Sequence, residues 1–134
     1  MIMNSKRELV NKFESDITSL DGVSSTKHQM GGREFLWNGK EIGHIHYNGV
    51  LDILFNKKIR DLLLKDNLVQ EHRWVPNSGW TTFYLNNESD LSRAEELIRL
   101  SLAFHLKRKA PNNFENEMLE RLNFPDRVKS LIKN

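Results

Sequence analysis

Two Asn-Gly pairs, Asn38-Gly39 and Asn48-Gly49, constrain this chain more than anything else in it. Each lies between short segments rich in β-branched and aromatic residues: Arg33 to Trp37, Lys40 to Tyr47, and Val50 to Phe55. An Asn-Gly pair is the strongest short-range hairpin signal, because both central positions of a type I′ turn need positive φ. Two such turns in succession specify an antiparallel meander. Read as two-residue loops, they pair Trp37 with Lys40 and Tyr47 with Val50. Counting back along the strands, His46 then faces Leu51, His44 faces Ile53, and Ile42 faces Phe55. Cross-strand partners share a face. One face therefore carries Phe35, Trp37, Ile42, His44, His46, Leu51, Ile53 and Phe55, and is the one expected beneath helices. The other carries Glu34, Leu36, Glu41, Gly43, Ile45, Tyr47, Val50, Asp52 and Leu54, and is expected to be wetter. This register separates Asp52 from both histidines unless a bulge re-aims a side chain.

The elements around the meander follow from periodicity. Leu9, Phe13, Ile17 and Leu20 recur at helical spacing in Ser5 to Leu20, with Ser5 and Glu8 spaced as a capping box. Val23 to Met30 reads as a first strand, turned by Gly31-Gly32. Asn56 is placed to cap a short helix over Lys57 to Lys65. Leu68 to Val75 and Trp80 to Leu85 form a hairpin around Pro76-Asn77-Ser78-Gly79. Leu91 to Lys107 carries a wide apolar stripe, as a central packing helix does. Beyond Pro111, the segments Phe114 to Leu122 and Asp126 to Ile132 read as two short amphipathic helices split at Pro125. The expected class is α+β, with the N-terminal and long closing helices packed on one face of the sheet. Residues 1–109 are expected to form the domain, and residues 110–134 a helical extension. That extension either folds back or supports a homodimer.

Composition then narrows the function classes. With 134 residues the chain suits one domain with a real core. Charged residues make up 28% and hydrophobic ones 38%, in the range of a folded globular protein. The absence of cysteine excludes disulfides, thiolate metal sites and cysteine nucleophiles. A net charge of +2 gives little bulk attraction for nucleic acid. The opening residues MIMNSKRELVNKF carry no long apolar run and no small-residue cleavage site. No apolar segment approaches the ~20 residues of a membrane span. The expectation is a cytoplasmic protein with no membrane partner.

From Gly39 to Leu102 the residues resemble a small family named for a luciferase domain, whose function is not known. The resemblance rests on Glu41-Ile42-Gly43-His44-Ile45-His46, Gly49-Val50-Leu51-Asp52, His72, Pro76-Asn77-Ser78-Gly79-Trp80 and Leu100-Ser101, in that order. It covers about half the chain. Leu102 stands where an aromatic is common, and the C-terminal extension lies outside the pattern. The order of elements is also similar to the YjbR-like group, including the N-terminal domain of TfoX-type proteins. That likeness implies a frataxin-like, double-wing layout, in a group for which DNA or protein binding has been suggested. The family's name implies little about chemistry, since no flavin-binding glycine loop is visible.

Four kinds of site are consistent with the residues. His44 and His46, at i and i+2 on a strand, point the same way, as two imidazoles presented to one metal do. His72 and a carboxylate would complete a set of N and O donors for a divalent metal, and that reading gives a metal-dependent or histidine-based enzyme. The same histidines, with Asp52, Trp74 and Trp80, could instead line a pocket for a small molecule or a protein partner. Glu41 and Asp52 offer an acid-base pair on the wetter face, while Ser78 reads as a turn residue and His105 as a core histidine. Lys57, Lys58, Arg60 and Lys65, with Lys107, Arg108 and Lys109, form basic clusters that could hold phosphates, although acidic neighbours interrupt them. The leading expectation is a binding or interaction module built on the histidine pocket. The metal-dependent enzyme is the alternative, and a DNA-binding role the third.

Overall fold

The turns and stripes resolve into an α+β fold in the computed structural model, which describes residues 5–133. Helix α1 (Lys6–Thr18) begins where the Ser5 side chain accepts the Glu8 amide, and it buries Leu9, Val10, Phe13 and Ile17. Strands β1 (Val23–Lys27), β2 (Arg33–Trp37), β3 (Lys40–Ile45) and β4 (Val50–Leu54) form the meander. Helix α2 (Lys57–Lys65) starts at Asn56, whose side chain accepts the Ile59 amide. Strands β5 (Gln70–Glu71) and β6 (Trp80–Tyr84) follow, then the long helix α3 (Leu91–Lys109) and the short helices α4 (Glu117–Glu120) and α5 (Asp126–Lys133). All six strands join one antiparallel sheet in the order β1-β2-β3-β4-β6-β5.

The core lies on one side of this sheet. Phe13 of α1 meets Phe35 edge-on at 5.7 Å between ring centres. Gly43 lies so close to Ile98 of α3 that a Cβ there would approach it to 3.1 Å. Ile45, Leu51 and Ile53 are fully buried on the same side. Ser101 of α3 reaches the sheet directly, its hydroxyl donating to the Leu54 carbonyl at 2.7 Å. One turn on, His105 Nδ1 donates to the Ser101 carbonyl at 2.7 Å, so this buried ring has a partner. Leu119, Leu122, Phe124, Val128 and Ile132 are buried in this same core, so the segment 119–132 packs back against the rest of the fold.

The two Asn-Gly pairs behave differently. Asn38 (φ +51°) and Gly39 (φ +79°) both take positive φ, and Trp37 pairs with Lys40 as a two-residue loop requires. At the second pair only Gly49 does, at φ +93°. Asn48 instead turns its side chain back to accept the Val50 amide at 3.1 Å. The loop is therefore Tyr47-Asn48-Gly49, closed by His46 donating to the Val50 carbonyl at 2.9 Å. Such three-residue loops end in a left-handed residue, which here is glycine. The added residue shifts the expected register by one: His44 faces Asp52, and Ile45 faces Leu51. The expectation that His44 and His46 lie beneath the helices is thus overturned. His44 is on the opposite face, next to Gly43 on the helix side, and it shares that face with Asp52.

A second irregularity acts on the same strand. Phe35 pairs with Gly43 but Leu36 pairs with Glu41, which leaves Ile42 as the extra residue of a β-bulge. Regular pleating would put residues three apart on opposite faces. The bulge puts Glu41 and His44 on the same one. Ile42 is buried in the core.

The expected strand from Leu68 to Val75 shrinks to two residues. At its end the Trp74 amide donates to His72 Nδ1 at 3.2 Å, and the chain turns away from the ladder. The loop that follows is held from α2, where the buried Arg60 guanidinium donates to the Pro76 carbonyl. Ser78 acts in the turn, donating to the Val75 carbonyl at 2.7 Å and accepting the Trp80 amide at 3.1 Å.

Candidate metal centre

Asp52 stands at the middle of the sheet face away from α1 and α3, and it is fully buried. Its Oδ1 accepts the hydroxyl of Thr82, directly across the ladder on β6, at 2.6 Å. Its Oδ2 is approached by three rings: His44 Nε2 at 3.0 Å, His46 Nε2 at 3.6 Å and His72 Nε2 at 3.6 Å. The Arg73 guanidinium lies 3.9 Å from the same oxygen. The shifted hairpin register supplies His44 and Asp52, the residue that closes the three-residue loop is His46, and the chain just past β5 supplies His72 and Arg73. The register expected from two-residue loops sends Asp52 away from the histidines. The three-residue loop places it among them.

Hydrogen bonds fix the protons. His44 Nδ1 donates to Glu41 Oε2 at 2.5 Å, and Nε2 donates to Asp52, so this ring carries both protons and bridges two carboxylates. Burial disfavours its charge, but the bonds to Asp52 and Glu41 outweigh burial and push the ring up to about 9. For Asp52 burial would raise the carboxyl. The bonds from His44 and Thr82 prevail and hold it below the ordinary carboxylate range. His46 is pushed below its ordinary value, first by burial and then by the charge on His44. His72 is lowered by burial, against the pull of Asp52, with Arg73 and His44 adding to the effect. Neutral His46 leaves its buried Nε2 without a hydrogen-bond partner. Buried polar atoms without partners are uncommon.

Other residues complete the surroundings. Trp80 leans on His44 and His72, at 5.2 Å and 6.1 Å between ring centres. Trp74 is not the expected wall. It is 63% exposed and touches His72 only edge-on at the rim. His28, from the loop after β1, stacks on His44 at 4.1 Å. His28, Arg73 and Thr82 join the site although no sequence motif marks them. Thr82 stands two residues from Trp80 on one strand, but nothing in local spacing indicates His28 or Arg73. Glu41 and Asp52, read as an acid-base pair, do not meet each other; each holds one side of His44.

Two sets of donor atoms are close enough for one ion. In His44, Asp52 and His72 the ligand atoms all lie within 4.8 Å of one another, and in His28, Glu41 and His44 likewise. The first set is wholly buried; His46 lies outside both sets, with its Nε2 3.6 Å from Asp52 Oδ2. No helix among the described residues is long and apolar enough to cross a membrane. No curated protein and no solved structure matches the chain. Residues 39–101, which hold every member of the cluster except His28, match the family model of the Luciferase domain.

Proposed function

We propose that this chain binds one divalent transition-metal ion through His44, His46, His72 and Asp52, and works as a metal-dependent binding or catalytic module. The observation that carries this reading is the gathering of three ring nitrogens at 3.0 to 3.6 Å around one buried carboxylate oxygen, with His46 Nε2 left unpartnered. Ligand atoms bound tetrahedrally at about 2.0–2.1 Å lie roughly 3.3 Å apart, close to the distance of each ring nitrogen from Asp52 Oδ2. Imidazole and carboxylate donors suit zinc, iron, nickel or copper rather than calcium. Thr82 turns Asp52 Oδ2 toward the rings. Glu41 plays the part of the outer carboxylate that orients a ligating imidazole. On binding, His44 gives up its Nε2 proton and keeps the Nδ1 bond to Glu41. Arg73, on the open side of the cluster, is placed to receive an anionic group approaching the ion.

The test is metal analysis of protein purified without a histidine tag, followed by thermal shift of the chelator-stripped chain with zinc, ferrous iron and nickel. Stoichiometric metal or a clear rise in Tm is expected, and His46→Gln should weaken both. A well-folded chain with no bound metal and no shift for any of the three overturns the reading. A bound metal indifferent to His46→Gln would remove His46 from the set.

A further inference from the structure

A cavity of about 540 Å³ lies on the other side of the sheet, remote from the histidine cluster. Its walls come from Leu20 after α1, Trp37 at the end of β2, Leu102 and Leu106 of α3, and Met118 of α4. A narrower arm of about 170 Å³ opens from it, sharing Leu20, Arg99, Leu102 and Met118 and adding Arg121 and Leu122. Small-molecule sites have this size and mostly apolar lining, with a few polar groups that set orientation.

The polar groups are distributed unevenly. Asp21 and Glu115 border the larger chamber and are absent from the arm. The arm is flanked by Arg99 and Arg121 with no carboxylate beside them. Neither guanidinium makes a hydrogen bond or ion pair among the described residues. Arg99 feels Glu95 one turn back only at longer range. Two unpaired guanidiniums above an apolar wall are complementary to a carboxylate that can be held by both, since Arg–carboxylate contacts are strong and directional. The chamber beyond accepts an apolar body against Trp37 and Leu106.

We infer that this cavity binds an amphiphilic monocarboxylate, its carboxylate between Arg99 and Arg121 and its aliphatic body in the chamber against Trp37. The C-terminal segment forms part of the site, since Met118 and Arg121 belong to it.

Isothermal titration of the full chain with decanoate, decan-1-ol and decylamine, each below its aggregation concentration, tests the inference. Saturable 1:1 binding of decanoate is expected, with the alcohol and the amine weaker by at least about tenfold. The double variant Arg99→Gln, Arg121→Gln changes only exposed side chains. It should keep the wild-type circular dichroism and lose at least about tenfold in decanoate affinity. Trp37→Leu should weaken all three ligands together. The inference fails if decanoate gives no saturable heat, if alcohol and acid bind alike, or if the double variant binds decanoate as the wild type does.

Discussion

His44 and Asp52 face each other across the β3–β4 ladder, and the imidazole donates to the buried carboxylate at 3.0 Å. Neither partner is satisfied on that side without the other. Asp52→Asn keeps the shape and can still accept from Thr82, but it turns an amide toward a ring N–H. We expect a loss of roughly 1–3 kcal/mol in urea unfolding, as for a buried group stripped of its partner, together with loss of metal uptake. Unchanged stability would show that the pair contributes little.

The raised His44 titration gives stability a defined pH profile in the metal-free chain. Its folded value, about 9, exceeds the ordinary 6.5, so its contribution is fully present below about pH 6.5 and is lost as pH rises through 9. A shift of that size corresponds to roughly 3 kcal/mol at most. His46 and His72 are shifted the other way, so they cost stability as pH falls below the ordinary histidine value. The urea midpoint should therefore decline on both sides of a maximum near neutrality. His44→Gln should flatten the alkaline limb; an unaltered limb would assign it to another group.

Metal binding should be felt at Trp74. His72 Nδ1 accepts the Trp74 amide, so the neutral ring keeps its proton on Nε2, the atom that faces Asp52. Coordination through Nε2 moves that proton to Nδ1 and releases the amide. Tryptophan fluorescence should change on metal addition, and most of the change should vanish in Trp74→Phe. A fluorescence signal indifferent to that substitution would place the response at Trp80 instead.

The two hairpin glycines should differ in their tolerance of a side chain. A Cβ at Gly39 meets no atom within 4 Å, so Gly39→Ala carries mainly the backbone cost of positive φ, about 1–2 kcal/mol. At Gly49 the same Cβ would lie 2.3 Å from the Leu85 carbonyl oxygen. Gly49→Ala should lower Tm distinctly more than Gly39→Ala. Equal losses would mean that β4 and the Leu85 backbone move apart easily.

Arg60 ties α2 to the loop that carries Trp74 and leads into Trp80. Removing it leaves the Pro76 carbonyl without this donor, and the loop between His72 and Gly79 loses its one anchor to that helix among the described residues. Arg60→Ala should speed proteolytic cleavage within residues 72–79 while the far-UV circular dichroism is kept. Cleavage elsewhere would point to a more general loosening.

Much of the fold could be read from local chemistry. Asn38-Gly39, the Asn56 cap and the stripe on α3 follow from rules that act within a few residues. The second Asn-Gly pair could not be resolved that way. Asn48 has two low-energy options, positive φ or a side-chain bond to the Val50 amide, and Gly49 packing beneath the Leu85 carbonyl belongs to the tertiary structure. The bulge at Ile42 is equally nonlocal, since it is defined against β2. The histidines and Asp52 were thus identifiable by type, while their common face was not. His28 and Arg73 reach the cluster only through loops whose paths no periodicity encodes.

The bulge and the three-residue loop bracket His44 on a single strand, each adding one residue to a regular ladder. The polar cluster is therefore encoded by chain length as much as by side-chain identity. A substitution can remove one member of the cluster from this face, but only an insertion or deletion can transfer the whole set to the other side. Relatives of this domain aligned without gaps between residues 41 and 50 should keep the same inside and outside. A gap there marks a protein in which those residue types have exchanged roles with the core.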